Sequence, residues 1–305
     1  MELDSDGVCV LIPTMNEAPT IGDLVRSFRD RGFPHILIID GHSTDGTDQI
    51  ARREGATVYP QTSRGKGNAI IEVLPTIRSP YILMLDGDGT YAPEDADRML
   101  APLVQGYDHV IGERIDRAGS YSHLNRLGNY VINYLFKVAH GKYLSDILSG
   151  YRAFTLSSIS RLQLKEEGFE IETEMAVQAM MNNQRIAVVP VEYRSRAGTK
   201  TKLKPFRDGF RIIRTIYRLA KQNNPLFYFG LMGVLVTLLG GITGLYVVYE
   251  WLLGIEHIPL TLLTLLLTTL GFEIFIFGVL ADLILAFHRE ILFELRELRE
   301  PKPPR

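Results

Sequence analysis

The segment Tyr81-Ile82-Leu83-Met84-Leu85-Asp86-Gly87-Asp88 closes an apolar run on two carboxylates. A buried strand that stops on Asp-X-Asp places two hard oxygen donors at the rim of a sheet. Such a pair suits a divalent cation, Mg²⁺ or Mn²⁺, that a nucleotide diphosphate can share. Taken alone, Asp-X-Asp serves equally as a solvated turn or a helix cap. Other polar residues at predicted strand ends favour the metal. Pro13 leads into Asn16-Glu17, and a second strand ends in Asp40.

The elements that must position these residues alternate. Strands are predicted at Val8–Pro13, His35–Asp40, Ala56–Tyr59, Tyr81–Asp86, His109–Gly112 and Ile186–Tyr193. Helices are predicted at Thr20–Arg31, Thr47–Glu54, Gly67–Ile77, Ala92–Val104 and Ile171–Asn182. Alternation of this kind predicts an α/β fold with a mostly parallel sheet, whose ligands bind beyond the carboxyl ends of the strands.

The remainder of the 305 residues has a different composition. The net charge of -2 conceals a basic cluster from Arg194 to Lys221. Nothing in this balance calls for a nucleic-acid partner. On a helix over Pro205–Gln222, Arg207, Arg211, Arg214, Arg218 and Lys221 share one face. Phe206, Phe210, Ile212, Ile213, Ile216, Tyr217, Leu219 and Ala220 fill the other. This pattern predicts an amphipathic helix in the headgroup layer of a lipid bilayer.

Two apolar spans follow, at about Leu226–Leu253 and Ile258–Phe287. Their link, Gly254-Ile255-Glu256-His257, has no Lys or Arg, whereas both outer flanks are basic. The positive-inside rule places both ends, and the front domain, in the cytoplasm. Trp251, Tyr246 and Tyr249 suit the far interface. Met1 to Asp6 is polar and acidic and does not read as a signal peptide. Cys9 is the single cysteine, so no intrachain disulfide forms. The expected localisation is a cell membrane, multi-pass. The expected domains are 1–204, 205–223, 224–288 and a cytoplasmic tail, 289–305. Intramembrane acids default to functional hypotheses. Asp282 can reach water or pair with Arg289, and Glu273 suits either a hydrogen bond to the first span or a ligand. Gly240, Gly241 and Gly244 suit helix association, so a homo-oligomer is an expectation.

Four segments recur in order: Pro13-Thr14-Met15-Asn16-Glu17, Asp40-Gly41-His42-Ser43-Thr44-Asp45-Gly46-Thr47, Arg64-Gly65-Lys66-Gly67 and Asp86-Gly87-Asp88. Together they resemble the front half of the family 2 glycosyltransferases, the GT-A nucleotide-sugar-binding fold. Nucleotidyl transfer would instead want a Gly-rich turn with Arg after the first strand. Ser149-Gly150-Tyr151-Arg152-Ala153-Phe154, Gly168–Met175 and Arg194–Leu203 are similar to later segments of polyprenyl-phosphate sugar synthases, including dolichol-phosphate mannose synthase. The resemblance covers about residues 8 to 222.

The resemblance implies a Rossmann-like GT-A domain, then an interfacial helix and a two-helix transmembrane hairpin. It implies a donor site formed by Pro13, Met15, Glu17, Asp40, Gly41, Lys66, Asp86, Gly87, Arg196 and Lys202. Asp86 and Asp88 would hold the metal, with Asp88 catalytic. Arg114 and Arg126, with Tyr130, would hold the acceptor phosphate, and Asn125 and Asn129 stand nearby. Glu172 and Glu174 occupy the place of a catalytic acid in other members. Many relatives carry a second acid where this chain has Gly41, which leaves the choice of nucleotide open. The Asp40-Gly41-His42 variant and the Ser-Gly-Tyr-Arg segment suggest an archaeal-type dolichyl enzyme.

The implied reaction moves a monosaccharide from a UDP- or GDP-linked donor to a polyprenyl or dolichyl phosphate. A lipid monophosphate, with a second pKa of ~6, is already a nucleophile at neutral pH. No strong base is required, and in-line attack with inversion is expected. Two alternatives stand beside this. One is transfer to a polysaccharide or protein hydroxyl, although long processive synthases usually need more spans. The other is a non-catalytic nucleotide-sugar-binding membrane scaffold.

Overall fold

Runs of β-branched and aliphatic residues at 8–12, 36–39 and 82–85 are buried from both sides, as strands at the centre of a covered sheet must be. The computed structural model describes residues 5–115, 123–141, 143–196 and 205–299. The strands are β1 (Val8–Thr14), β2 (His35–Asp40), β3 (Thr57–Pro60), β4 (Tyr81–Met84), β5 (His109–Ile115), β6 (Arg152–Thr155) and β7 (Ile186–Glu192). They form one sheet in the order β3-β2-β1-β4-β6-β5-β7. Every neighbouring pair is parallel except β4–β6 and β6–β5, so the sheet is mostly parallel.

The α-helices are α1 (Ala18–Asp30), α2 (Thr47–Arg53), α3 (Lys66–Val73), α4 (Ala96–Val104), α5 (His123–His140), α6 (Leu156–Ser160), α7 (Ile171–Met181), α8 (Pro205–Asn223), α9 (Pro225–Leu252) and α10 (Ile258–Arg299). Two apolar clusters coat the two faces of the sheet. One joins Ile21, Val25, Phe28 and Met99 to Val10 and Leu83, and the other joins Ile70, Val73 and Met175 to Leu11 and Met84.

Parallel register brings the carboxyl ends of β1, β2 and β4 to one edge, as the alternating pattern predicts. Thr14 pairs with Asp40, and Leu11 with Met84. Some elements differ from the sequence expectation. β6, α5 and α6 have no predicted counterpart, β5 runs three residues beyond Gly112, and α10 runs to Arg299, past the expected Phe287.

The chain divides into two compact units, Met1–Ile216 and Tyr217–Arg305. On α8 the expected basic face is present, with Arg207, Arg211, Arg214 and Arg218 all exposed. The apolar side divides: Ile212 and Ile216 are buried, and Phe210 and Ile213 are exposed. The Thr215 hydroxyl lies 3.2 Å from Glu166.

In the second unit, α9 and α10 form an antiparallel hairpin, each long and apolar enough to cross a membrane. They approach through small residues. A Cβ on Gly233 would lie 2.6 Å from the Gly271 carbonyl, and one on Gly240 2.8 Å from Thr268 Cγ2. The Thr264 and Thr243 hydroxyls lie 3.1 Å apart. Gly240 and Gly244 are therefore used within the hairpin, and of the three predicted association glycines only Gly241 faces open space. Glu273 is exposed and does not turn toward α9, so the expected hydrogen bond to the first span is absent. The Arg289 side chain suggested for Asp282 lies outside the described residues.

Candidate active site

The site is built on two interlocked loops. After β1, Asn16 turns through a left-handed φ of 53°. Its amide donates to Ser43 Oγ at 2.8 Å, and its Oδ1 accepts from the Thr44 amide at 2.8 Å. The Glu17 amide donates to Thr47 Oγ1 at 2.9 Å, and the Ala18 amide to Asp45 Oδ2 at 3.0 Å. Burial pulls the Asp45 carboxyl upward, but hydrogen bonds from Thr47 and Ala18 outweigh it and hold the group below its usual range. The Ser43–Thr47 motif is thus a latch that fixes Met15, Glu17 and Asp40. Asp40 accepts from the Ser43 amide through Oδ2, while its buried Oδ1 has no hydrogen-bond partner. A Cβ on Gly41 would stand 3.2 Å from Gln61 Oε1. Gln61 fills the space that a second acid after Asp40 would need.

Asp88 is buried. Its Oδ1 accepts from the Thr90 amide at 3.1 Å and the Thr90 hydroxyl at 2.7 Å. Its Oδ2 pairs with Arg196, whose other nitrogen lies 3.8 Å from Glu17. Gly87 packs so closely on Thr14 that a Cβ would come within 2.5 Å of its methyl.

Lys66 is the centre of a second polar cluster. Its Nζ lies 2.5 Å from Asp86 Oδ1 and 2.5 Å from Glu172 Oε1. Burial pulls the Lys66 ammonium down, but the two carboxylates outweigh it and raise its pKa. Burial raises Glu172, and Lys66 only partly offsets this. The flanking glycines have a steric reason. Cβ atoms at Gly65 and Gly67 would collide with the carbonyls of Glu167 and Glu166, and the Gly67 amide donates to the Glu167 carbonyl at 2.9 Å. This contact fixes the start of α3 against the segment leading to α7. Gly150 leaves room for the Asp86 carboxylate in the same way.

The two acids at the start of α7 separate. Glu172 lines the cleft, and its buried Oε2 has no hydrogen-bond partner. Glu174 instead accepts the Lys165 and Glu166 amides, each at 2.8 Å, and so serves as a turn cap.

Arg114 lines the cleft and is gripped from behind by Asp146. Nε donates to Oδ2 and Nη2 to Oδ1, both at 2.7 Å. Asn129 also donates to Asp146, at 3.3 Å. Arg152 of the Ser-Gly-Tyr-Arg segment is fully buried and structural. It donates to the Ser149 and Ile147 carbonyls, at 3.0 and 2.6 Å, and contacts His109 at 3.2 Å. Burial depresses it to about 10. Its role is to shape the loop that carries Asp146 and Gly150.

These groups line a cleft of about 1100 Å³. Pro13, Met15, Glu17, Gly41, Lys66, Asp86, Gly87, Asp88, Arg114 and Arg196 all border it. Asp40 does not, being buried beside the lining residue Gly41, and neither do Arg126 and Tyr130, which are exposed on α5, next to the lining residues Leu127 and Asn129. The Asn125 side chain and Lys202 lie outside the described residues. Sequence reasoning missed Gln61, Tyr91, Asp146 and Tyr193. Asp146 had a readable signal, an acid three residues before Ser149.

Carboxylates at parallel strand ends, each paired with a cation and bordering a large cleft on a mostly parallel sheet, are the arrangement of a GT-A-like fold. The chain belongs to glycosyl transferase family 2, whose model matches residues 9–163. It is 48% identical over 298 residues to the glycosyltransferase AglJ of Haloferax volcanii, spanning 96% of this chain and 98% of that one. It is 32% identical to a dolichyl-phosphate hexose transferase of the same organism, over 72% of this chain and 97% of the relative. The glucosyl-3-phosphoglycerate synthase of Mycobacterium tuberculosis, solved with Mn²⁺ and UDP-glucose, shares the fold. Its TM-score is 0.58 at 21% identity, covering 70% of this chain and 79% of that one.

Proposed function

We propose that this glycosyltransferase moves a monosaccharide from a nucleotide-sugar to a polyprenyl phosphate of the dolichyl type, at the cytoplasmic face of a membrane. The observation that carries this reading is the polarity of the cleft. Its lining combines Asp86, Asp88, Lys66, Arg114 and Arg196 with Leu127, Val131, Ile132, Phe210 and Ile213. A reactant with a phosphate head and an apolar tail matches that mixed lining. Exposed Leu127, Tyr130, Val131, Tyr134 and Val138 recur at helical spacing along α5, so this helix also offers an apolar stripe to a bilayer surface.

On this reading Glu17 and Asp40 accept from the ribose or base. Glu172 Oε2 and Lys66 meet sugar hydroxyls, and Arg114 takes the acceptor phosphate in a geometry set by Asp146. Arg126 and Tyr130 contact the headgroup outside the cleft, and Lys202 joins Arg196 over the phosphates. Domain limits at 204, 223 and 288 belong to the same proposal.

Asp86 and Asp88 fit a divalent cation. They are hard oxygen donors, and Asp88 already accepts a cationic guanidinium. Among the described residues no cluster of three or more acidic, His or Cys side chains could hold a metal by itself, so an ion held by Asp86 and Asp88 would need oxygens from the donor diphosphate as well. When bound, such an ion neutralises charge on the departing nucleoside diphosphate. Asp86, Asp88 and Glu172 each carry a cationic partner, which favours an acceptor that arrives already ionised over a hydroxyl. Attack on the anomeric carbon proceeds in line, with inversion.

The test is to incubate the purified enzyme with radiolabelled UDP- and GDP-sugars and dolichyl phosphate, then extract with organic solvent. Label in the lipid phase with an inverted anomeric centre is expected. Absence of lipid-linked label for every donor, or a retained configuration, overturns the proposal.

A further inference from the structure

Glu273 stands midway along the apolar stretch Ile258–His288 of α10. At 1.5 Å per residue it lies roughly 22 Å from either end, at the midplane of a bilayer that the hairpin spans. The α9-facing side of α10 carries Thr264, Thr268, Gly271, Phe275 and Gly278. Glu273 follows Gly271 by two residues, about 200° around the helix, and so points to the opposite side. It is exposed there among Leu266, Phe277 and Leu280. It has no hydrogen-bond or ion-pair partner among the described residues.

A carboxyl group facing hydrocarbon is costly, and acids within spans turn toward protein or water. This hairpin supplies no partner: Leu226 to Tyr249 contains no charge, and the basic residues after His288 are far along the axis. One more polar group shares the outer side, Thr269, a turn before Glu273. Its hydroxyl donates to the Leu265 carbonyl at 2.7 Å.

We propose that the outer face of α10 is a helix–helix interface centred on Glu273, and that its occupant is the same face of a second copy of this chain. The reason is depth. Every copy inserts with the same topology, so a second copy brings its own Glu273 to the same level. A two-fold axis along the membrane normal then sets Glu273 and Thr269 of each copy against those of the other; with the Glu273 carboxyls protonated, each can donate to an oxygen of the other copy, a self-complementary patch of the kind isologous dimers use. A different protein would need a polar group placed independently at that depth. The proposal requires the hairpin to cross the bilayer; it does not depend on which acceptor the enzyme uses.

The test uses the full chain, purified and reconstituted in phosphatidylglycerol–phosphatidylcholine vesicles at high lipid dilution. Single cysteines are introduced at Leu266 or Phe277 on the outer face of α10, and at Gly241 on the open side of α9. Cys9, buried in the first unit, stays as it is. Oxidative crosslinking is expected to trap dimers from Leu266→Cys or Phe277→Cys at least tenfold more than from Gly241→Cys. Glu273→Leu is expected to lower that yield about tenfold, while Glu273→Gln, which keeps the hydrogen-bonding capacity, retains it. Equal yields at all three positions, an unchanged yield in Glu273→Leu, or only monomer in these vesicles overturns the proposal. Sugar transfer by each variant serves as the control for folding.

Discussion

Arg114 and Asp146 meet in a two-pronged ion pair, with both nitrogen–oxygen distances at 2.7 Å. Asp146 is buried behind the cleft, and Arg114 is largely enclosed. A guanidinium held this way has lost its rotational freedom before a phosphate arrives, which is the preorganisation that bidentate geometry provides. Asp146→Asn keeps the shape but loses the charge. The acceptor KM is expected to rise about tenfold, with the donor KM near wild type, and stability to fall by on the order of 3 kcal/mol from the unpaired buried cation. Steady-state kinetics with each substrate varied, alongside thermal unfolding, checks both. A rise confined to the donor KM would move Arg114 to the other reactant.

The Asp88–Arg196 pair leads to a second expectation. Asp88 keeps one oxygen on Thr90 and offers the other to a cation. Asp88→Asn preserves the Thr90 contacts but removes the charge. Turnover should fall by about 10²–10³ or more, the range seen when one preorganised electrostatic group is lost. Chelation of divalent ions should abolish wild-type transfer, and Mg²⁺ or Mn²⁺ should restore it. Full activity in chelator would contradict a metal at this pair.

Gly67 is a purely steric case. It lies in the first turn of α3, and a Cβ there would run into the backbone carbonyl of Glu166 rather than a flexible side chain. The backbone must therefore move, and with it Lys66, which joins Asp86 to Glu172. Gly67→Ala is expected to lower stability by about 1–3 kcal/mol, an overpacking cost, and to raise the donor KM. Unfolding curves and donor titrations on the same preparation test this. Unchanged behaviour would mean that the 166–167 segment yields freely.

The sheet edge was legible because the strands that build it are long apolar runs, each ending on a polar residue. β6 was not. It is four residues long, begins on the buried Arg152 and pairs antiparallel inside a parallel sheet, so neither period nor composition marks it. α5 left a trace in Leu127, Val131, Tyr134 and Val138. Its stripe faces outward, however, so it did not read as a core helix. The role of Lys66 was hidden for another reason. Two flanking glycines suggest a mobile turn, but here they let the chain press against a neighbouring backbone, and the lysine is buried. Asp88 borders the cleft at the strand end that the motif marks, whereas the buried Asp40 does not itself border it, and Arg126 and Tyr130 stand outside the cleft wall. A motif fixes the turn of a helix on which a residue lies, but not which way that turn faces.

Histidine burial gives a pH dependence of definite sign. His140 packs on Phe136 at 4.9 Å and is depressed from 6.5 to about 4, chiefly by burial, which the neighbouring Ile216 backbone offsets only in part. The unfolded chain therefore takes up the proton first. Stability from this group is present above pH 6.5 and is lost as pH falls toward 4, by up to about 3 kcal/mol. His109, also depressed by burial, adds in the same direction. Glu172, raised by burial, works the other way: its contribution is present at acid pH and is lost as pH rises through its folded value. The difference between wild type and His140→Gln is therefore the readout. The variant should lose less of its melting temperature between pH 7 and 5, and parallel profiles would sink the assignment.

The apolar lining of the cleft can be tested apart from its chemistry. Leu127 and Phe210 are 59% and 68% exposed, and both line the cleft. Because they are already accessible, replacing both with glutamate should leave the fold within about 0.5 kcal/mol of wild type. It would, however, place two anions where the acceptor's first isoprene units are proposed to lie. The acceptor KM for dolichyl phosphate should rise by more than tenfold. Donor binding, followed by quenching with a fluorescent nucleotide analogue, should stay the same. A short water-soluble alkyl phosphate should lose much less than the long lipid, since it reaches Arg114 without crossing that surface. If long and short acceptors weaken equally, the added charge acts on the phosphate rather than on the tail, and the apolar lining of the cleft is not the lipid's route.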